Sequence, residues 1–562
     1  MILRKMKKIL LLLILLLPAC LLAQHPKWFK KARKIQLTVM AYDAKGDIRQ
    51  GQGYFINEQG DAVMEYDVLK GAVRAVAIDA EGKEHHVTYI LGASSLYNVT
   101  KVQTDCQKVK AIPLAMQTAQ KQETVYVMPV CSKDNKVPCY VGLVADIQEF
   151  GEGQYPYYTL QNSIDERFSG CPAFNENGEL IGHIQLPASG KDQPAYILGA
   201  RFHESFRITA LDLNNSDLKA IGITKALPED EAQATSYLLL YNRQDKEAYR
   251  KVIDLYLQKF PAQSTGYVQL AEEQAAAEEY KAAEATYAKG LEMCPQQADE
   301  LHHAFAKALY QRCVKQDSIA PGWTMERALQ EAEAAFNVKP LPLYTSLQGM
   351  CLYALQRYGD AYGKFMEVTA SNLRSPEYFH YAIQCKTMMR AGEEEILALQ
   401  DSCVACFTKP YPTEAVNYLY PRAKTLASLK RYREAVADMN ECEHLLAGNV
   451  NANFYYEREQ MEIQCRMYPA ALTDIERAVK LAPQDPSMRA EEAALNYRVG
   501  QLDQAVSAAR EAIKIDPEYP DAYRILGLAL RDKGMKKEAR EALQKSVELG
   551  DTLSQGILDK ME

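Results

Sequence analysis

The pattern of apolar positions along the 562 residues changes character twice. An apolar run from Ile9 to Leu17 follows the charges Arg4, Lys5, Lys7 and Lys8, which is the order of an export signal. Residues 35 to about 205 then show short alternating runs of β-branched and aromatic residues, at 35–42, 75–78 and 124–130 among others. Gly, Asp and Asn turns separate these runs, so an all-β barrel or sandwich is predicted. From Asp230 onward glycine is sparse, alanine, glutamate and leucine dominate, and apolar residues recur at helical spacing. The predicted organisation is a signal peptide over 1–23, a linker over 24–34, an all-β domain over 35–205, a second linker over 206–229, an all-α region over 230–553 and a tail over 554–562.

The helical region repeats itself. Ala471, Ala505 and Ala539 stand 34 residues apart, as do Leu481, Ile515 and Leu549, and the pairs Ala478/Ala512, Pro483/Pro517 and Pro261/Pro295 keep the same step. The unit beginning at Ser264 carries Tyr267, Leu270 and Ala271 on its first predicted helix, then Tyr280, Ala283, Tyr287 and Gly290 on its second, and Pro295 after it. Small residues let two helices approach, rings fill the space beside them, and proline stops the second helix. An aromatic three positions before an alanine marks further second helices: Tyr358 with Ala361, Tyr432 with Ala435 and Tyr468 with Ala471. With a period of 34, the region resembles the tetratricopeptide repeat (TPR) family. About nine units are expected, and those near 298–340 and 375–411 depart from the standard length, the first by an insertion around residues 317–323. The tyrosines that mark the repeats are read as packing residues. The resemblance implies a solenoid whose inner, first-helix face carries a peptide or partner protein.

Two stretches make the β region more specific. Gly51-Gln52-Gly53-Tyr54-Phe55-Ile56-Asn57-Glu58-Gln59-Gly60, followed by Val63, is similar to the opening of trypsin-like peptidases of the HtrA kind. Ser169-Gly170-Cys171-Pro172-Ala173-Phe174, followed by Asn177-Gly178-Glu179-Leu180-Ile181-Gly182, is similar to the segment around the nucleophile in that family. The resemblance implies a double β-barrel with Ser169 at the nucleophile position. Acyl transfer by serine needs an oriented base for the hydroxyl proton and N–H donors for the oxyanion. The family's histidine position falls on Asp67, whose carboxylate, with a reference pKa of about 3.9, is a weak base. The family's aspartate should lie near Leu96-Tyr97-Asn98, where no acid stands, and Arg167 and Phe168 precede the serine where the family has glycine and a small or polar residue. Other histidines are poorly placed: His85 and His86 are read as a strand pair, and His183 as lying along a strand paired beyond Ser169. Ser169 is therefore expected to be a vestigial nucleophile and Asp67 the position of a missing histidine. The competing reading is a serine-type endopeptidase that uses Ser169 with a non-standard base.

Composition adds limits. Apolar residues make up 48% and charged residues 25% of the chain, and the net charge is −8 with no block of basic residues outside the extreme N-terminus, so nucleic acid is not an expected partner. No later stretch approaches the ~20 apolar residues of a membrane span. Cleavage after Ala23 and acylation of Cys20 in Leu17-Pro18-Ala19-Cys20 are the two processing routes the N-terminus allows. The thirteen cysteines are scattered. Cys131 and Cys139 flank a polar turn they could bridge, while Cys403 and Cys406 read as thiols one helical turn apart, and neither a metal site nor a cofactor is expected. The function expected is an exported scaffold of the periplasm or outer envelope that binds envelope proteins or peptides, with a protease-like domain as a second, non-catalytic surface.

Overall fold

The computed structural model describes residues 26–110, 112–130, 139–150, 155–187, 193–315 and 321–561. The segment read as an export signal, Cys20 and Cys131 lie outside them. The chain forms two compact units, residues 1–270 and 271–562.

Among the described residues of the first unit, twelve strands close into two six-stranded antiparallel barrels. The first contains β1 (Gln36–Asp43), β2 (Ile48–Phe55), β3 (Asp61–Met64), β4 (Ala72–Asp79), β5 (Glu84–Ser94) and β6 (Val99–Thr104) in the order β1-β2-β3-β6-β5-β4. The second contains β7 (Thr124–Val127), β8 (Tyr140–Phe150), β9 (Tyr155–Leu160), β10 (Pro172–Phe174), β11 (Leu180–Gln185) and β12 (Tyr196–Gly199) in the order β10-β11-β12-β9-β8-β7. Strand alternation places the core: Leu37, Val39 and Ala41 of β1 have no exposed surface, while Thr38 and Met40 between them do. Closure pairs every strand on both sides and so leaves no open sheet edge. Gly182 of β11 is needed for close approach, since a Cβ there would fall 2.1 Å from the Leu198 carbonyl oxygen of β12.

Residues 206–229, expected as a linker, cover the first barrel. Ile90 of β5 donates to Thr224 and accepts from Ala226, and the Gly222 N–H reaches the Ala72 carbonyl at 2.7 Å. Ile221, Ile223 and Leu227 join the same buried cluster as Leu37 and Val39, as do Tyr237, Tyr249, Ile253 and Tyr256 from helices Glu231–Leu240 and Lys246–Lys259. A helix begins at Glu231, and the compact unit runs on to Leu270.

Among the described residues nine consecutive helix pairs lie between Glu231 and Glu548, consistent with an all-α TPR solenoid, followed by helix Thr552–Leu558. Tyr280, Tyr358, Tyr432 and Tyr468 are each the first residue of a second helix, and the alanines three positions on are fully buried. The 34-residue alanine column, Ala471, Ala505 and Ala539, is likewise buried. The Leu481, Ile515 and Leu549 column differs: Leu481 is 55% exposed, because these residues fall at the ends of second helices, where the chain leaves the core. Two successive first helices donate a guanidinium to the second helix of the same pair, half-buried at Arg422 and buried at Arg458. Arg422 grips Asp438 with Nε and Nη2 at 2.7 Å each, and Arg458 grips Asp474 at 2.6 and 2.9 Å.

Candidate functional site

Ser169 ends a short 3-10 turn, Glu166–Phe168, that leads toward β10. Its hydroxyl donates to Glu65 Oε1 at 2.5 Å, so among the described residues the side-chain partner of the serine is a carboxylate and not an imidazole. Glu65 follows β3 directly, and two glycines leave it room: a Cβ on Gly170 would meet its carboxyl carbon at 2.9 Å, and one on Gly51 would lie 3.2 Å from Oε2. Gly170 has φ +71°, a conformation that glycine adopts without strain. Burial pushes the Glu65 carboxyl above the usual carboxylate range, hydrogen bonds from Ser169 and the Gln52 backbone oppose the rise, and the charge of Asp67 adds to it.

Asp67 is exposed, two residues beyond Glu65. Its backbone N–H donates to Asn98 Oδ1 at 2.8 Å, so Asn98 holds the main chain of the Tyr66–Leu69 turn. The donors an oxyanion would need are already engaged. The Arg167 N–H donates to Asp165 Oδ1 at 2.9 Å, the Ser169 N–H to the Glu166 carbonyl at 3.1 Å and the Gly170 N–H to the Ile184 carbonyl at 3.0 Å. Gln52 locks the arrangement by donating Nε2 to the Arg167 carbonyl while Oε1 accepts from the Val130 N–H and the Cys171 thiol.

The histidines lie elsewhere. His183 of β11 is paired with Pro172, and its Nδ1 is 3.3 Å from the Tyr54 hydroxyl. His85 is buried against Asp79 at 3.0 Å and His86 is exposed. Burial pushes His183 down to about 4, and burial with the nearby Lys101 charge takes His203 down to about 3. Each is thus depressed in the fold, and its contribution to stability is present above the unfolded value near 6.5 and lost as pH falls toward the folded value. The expected result is acid weakening of the barrel unit between about pH 6.5 and 4, on the order of 3 kcal/mol per histidine. Urea unfolding followed by Trp28 fluorescence in a Trp323→Phe background measures it, and His183→Gln should flatten the slope.

In the second unit a groove of about 510 Å³ is lined by Tyr280, Lys307, Gln311, Arg312, Lys315 and Trp323 among others, with the Arg312 guanidinium 5.7 Å from the Tyr280 ring centre. Among the described residues no group of His, Cys, Asp and Glu side chains forms a metal site, and no helix is long and apolar enough to cross a membrane.

The sequence profile of the tetratricopeptide repeat matches residues 520–549. The small glutamine-rich tetratricopeptide repeat-containing protein 2 of Mycosarcoma maydis is 38% identical over 98 residues, which is 17% of this chain and 28% of that protein. The chain thus spans little more than a quarter of that relative's length. Among solved structures, the TPR protein YrrB, described as having an unusual peptide-binding site, aligns with 35% of this chain and 97% of its own at 21% identity and a TM-score of 0.30. The HtrA-type protease AlgW, solved with a tripeptide, aligns with 32% of this chain and 61% of its own at 13% identity and a TM-score of 0.26.

The bond between Ser169 and Glu65 is not visible in the order of residues. The two are 104 positions apart, and the family pattern directs attention to Asp67. The signal available was the pair of small residues, Gly51 and Gly170, that make space for a carboxylate.

Proposed function

We propose that the protein is an exported scaffold that binds protein or peptide segments through its TPR solenoid, and that its double-barrel domain is a second binding surface without acyl-transfer activity. The observation that carries the second half is the Ser169 hydroxyl held by Glu65 while the N–H groups of Arg167 and Ser169 are spent within their own turn. Nucleophilic attack would require that carboxylate to take the serine proton and the engaged N–H groups to be released toward an oxyanion. The first half rests on the helix pairs and the repeat match at 520–549. Lys307, Arg312 and Lys315 outnumber Glu272 and Glu278 in the groove beside Tyr280, and with the rings of Tyr280 and Trp323 they suit an extended segment with acidic and apolar side chains. Placement in the cell envelope rests on the N-terminal charges and apolar run.

A fluorophosphonate probe should leave the full chain unlabelled at neutral pH. Labelling that disappears in Ser169→Ala would establish the alternative, a serine peptidase in which Glu65 is the non-standard base. One observation favours that alternative: the carboxylate already sits on the serine proton, with an affinity for protons raised by burial. Partner capture by the full chain, compared with a Lys307→Glu, Lys315→Glu variant, tests the binding role.

A further inference from the structure

We propose that the outward face of residues 27–34 is a contact surface for anionic phospholipid, a reading that rests on the envelope placement above. Lys27, Lys30, Lys31, Arg33 and Lys34 are all exposed. Read as a linear string they are interrupted by Trp28, Phe29 and Ala32, so no basic block stands out beyond the N-terminal one. The helical winding through Phe29–Ala32 and Arg33–Ile35 sorts them: Lys27, Lys30, Lys31 and Lys34 recur at helical spacing on the outer side. Phe29, Ala32 and Ile35 are buried on the other side, in the cluster of the first barrel.

The face is held firmly. Trp28 donates its indole N–H to the Glu176 carbonyl at 3.0 Å, packs its ring 5.4 Å from that of Phe174 and 5.6 Å from that of Tyr126, and lies over Gly178, where a Cβ would come within 2.4 Å of it. Among the described residues none of the five cations has an ion-pair partner. Residues 1–34 hold nine of the chain's 65 Lys and Arg and none of its 73 Asp and Glu, which leaves a net charge of −17 on the rest. The positive charge is therefore concentrated where the described chain begins.

Lipid is the polyanion that fits. Twenty-five residues precede Pro26, and they include the apolar run from Ile9 to Leu17 and the Cys20 position, so the cationic face stands a few residues from the segment suited to enter or be attached to a bilayer. A single acyl chain binds membranes only marginally, and a basic patch is the usual second contribution. An extended nucleic acid, by contrast, would run from this short face onto a strongly acidic remainder.

Vesicle sedimentation with the full chain tests the proposal, comparing phosphatidylcholine vesicles with vesicles containing about 30% phosphatidylglycerol, so that partitioning of the apolar run is common to both. Partitioning should be about tenfold or more stronger on the anionic vesicles at about 0.05 M salt and nearly equal on the two at about 0.5 M. The K27Q, K30Q, K31Q, K34Q variant should lose the preference while Trp28 emission stays native, and the matching lysine-to-arginine variant should keep it. Equal partitioning of the parent at low salt, an unchanged preference in the glutamine variant, or tighter salt-sensitive binding to duplex DNA at equal phosphate concentration would each overturn it. None of these outcomes depends on partner capture by the solenoid.

Discussion

Replacing Arg458 by alanine is expected to cost the solenoid about 3–5 kcal/mol, the range for breaking a buried ion pair by removing one partner. Arg458 is 4% exposed and Asp474 3%. Besides its two bonds to Asp474, the guanidinium donates Nη1 to Asn440 at 2.9 Å and lies 2.7 Å from Glu443. Its loss would leave Asp474 and Glu443 facing the buried Glu462 with no cation between them except Arg477, itself half exposed. Arg458→Lys should recover only part of the loss, because a point charge cannot bond both carboxylate oxygens in one plane. Hydrogen exchange of helix Ala452–Gln464 in the full chain is the direct measurement, because a solenoid opens locally as well as globally. The double variant Arg458→Met, Asp474→Leu should restore much of the protection, and if it is no better than Arg458→Ala the ion pair is not what the site depends on.

Glu459→Gln is expected to act in the opposite direction, and only at high pH. Glu459 is fully buried, one of its oxygens has no hydrogen-bond partner, and burial with the charges of Glu491, Glu462 and Asp474 pushes its carboxyl up to about 8. Glu462 is pushed up to about 7 by burial and by Asp474, and Glu491 is raised by burial too, so the three titrate as a coupled group. A carboxyl raised in the fold contributes stability that is complete below its unfolded value near 4.3 and is lost as pH rises through the folded value. The parent should therefore weaken between about pH 5 and 8. The amide cannot ionise, so Glu459→Gln should gain on the order of 3 kcal/mol at pH 8 and almost nothing at pH 4.5. Urea midpoints followed by helical circular dichroism at the two pH values decide it; an equal gain at both would show that packing, not proton binding, is responsible.

How much was legible in the sequence depends on the distance over which each feature is specified. Tyr280, Tyr358, Tyr432 and Tyr468 announce their helices because the residues that pack them lie three positions away or one repeat away. The alternation at 36–43 shows its buried face for the same local reason. The Ser169–Glu65 bond joins residues 104 positions apart through two glycine gaps, and no periodicity records it. The arginine clamps could be read only after the fact, since Arg458 occupies a buried helical position where an apolar residue is the normal choice and Arg422 a half-buried one. The packing of 206–229 was hidden by polar turn residues such as Asp212 and Asn215. They satisfy backbone groups within the segment while Ile221 and Ile223 bury themselves in the barrel core.

That packing bears on how such a chain could be taken apart or assembled. Severing it at 230, where the periodicity starts, would strip Tyr249, Ile253 and Tyr256 of the apolar surface that covers them and leave Ile221 and Leu227 bare on the other fragment. Both pieces would gain sticky surfaces, so the barrels and their first two helices have to be inherited, expressed and folded as one block.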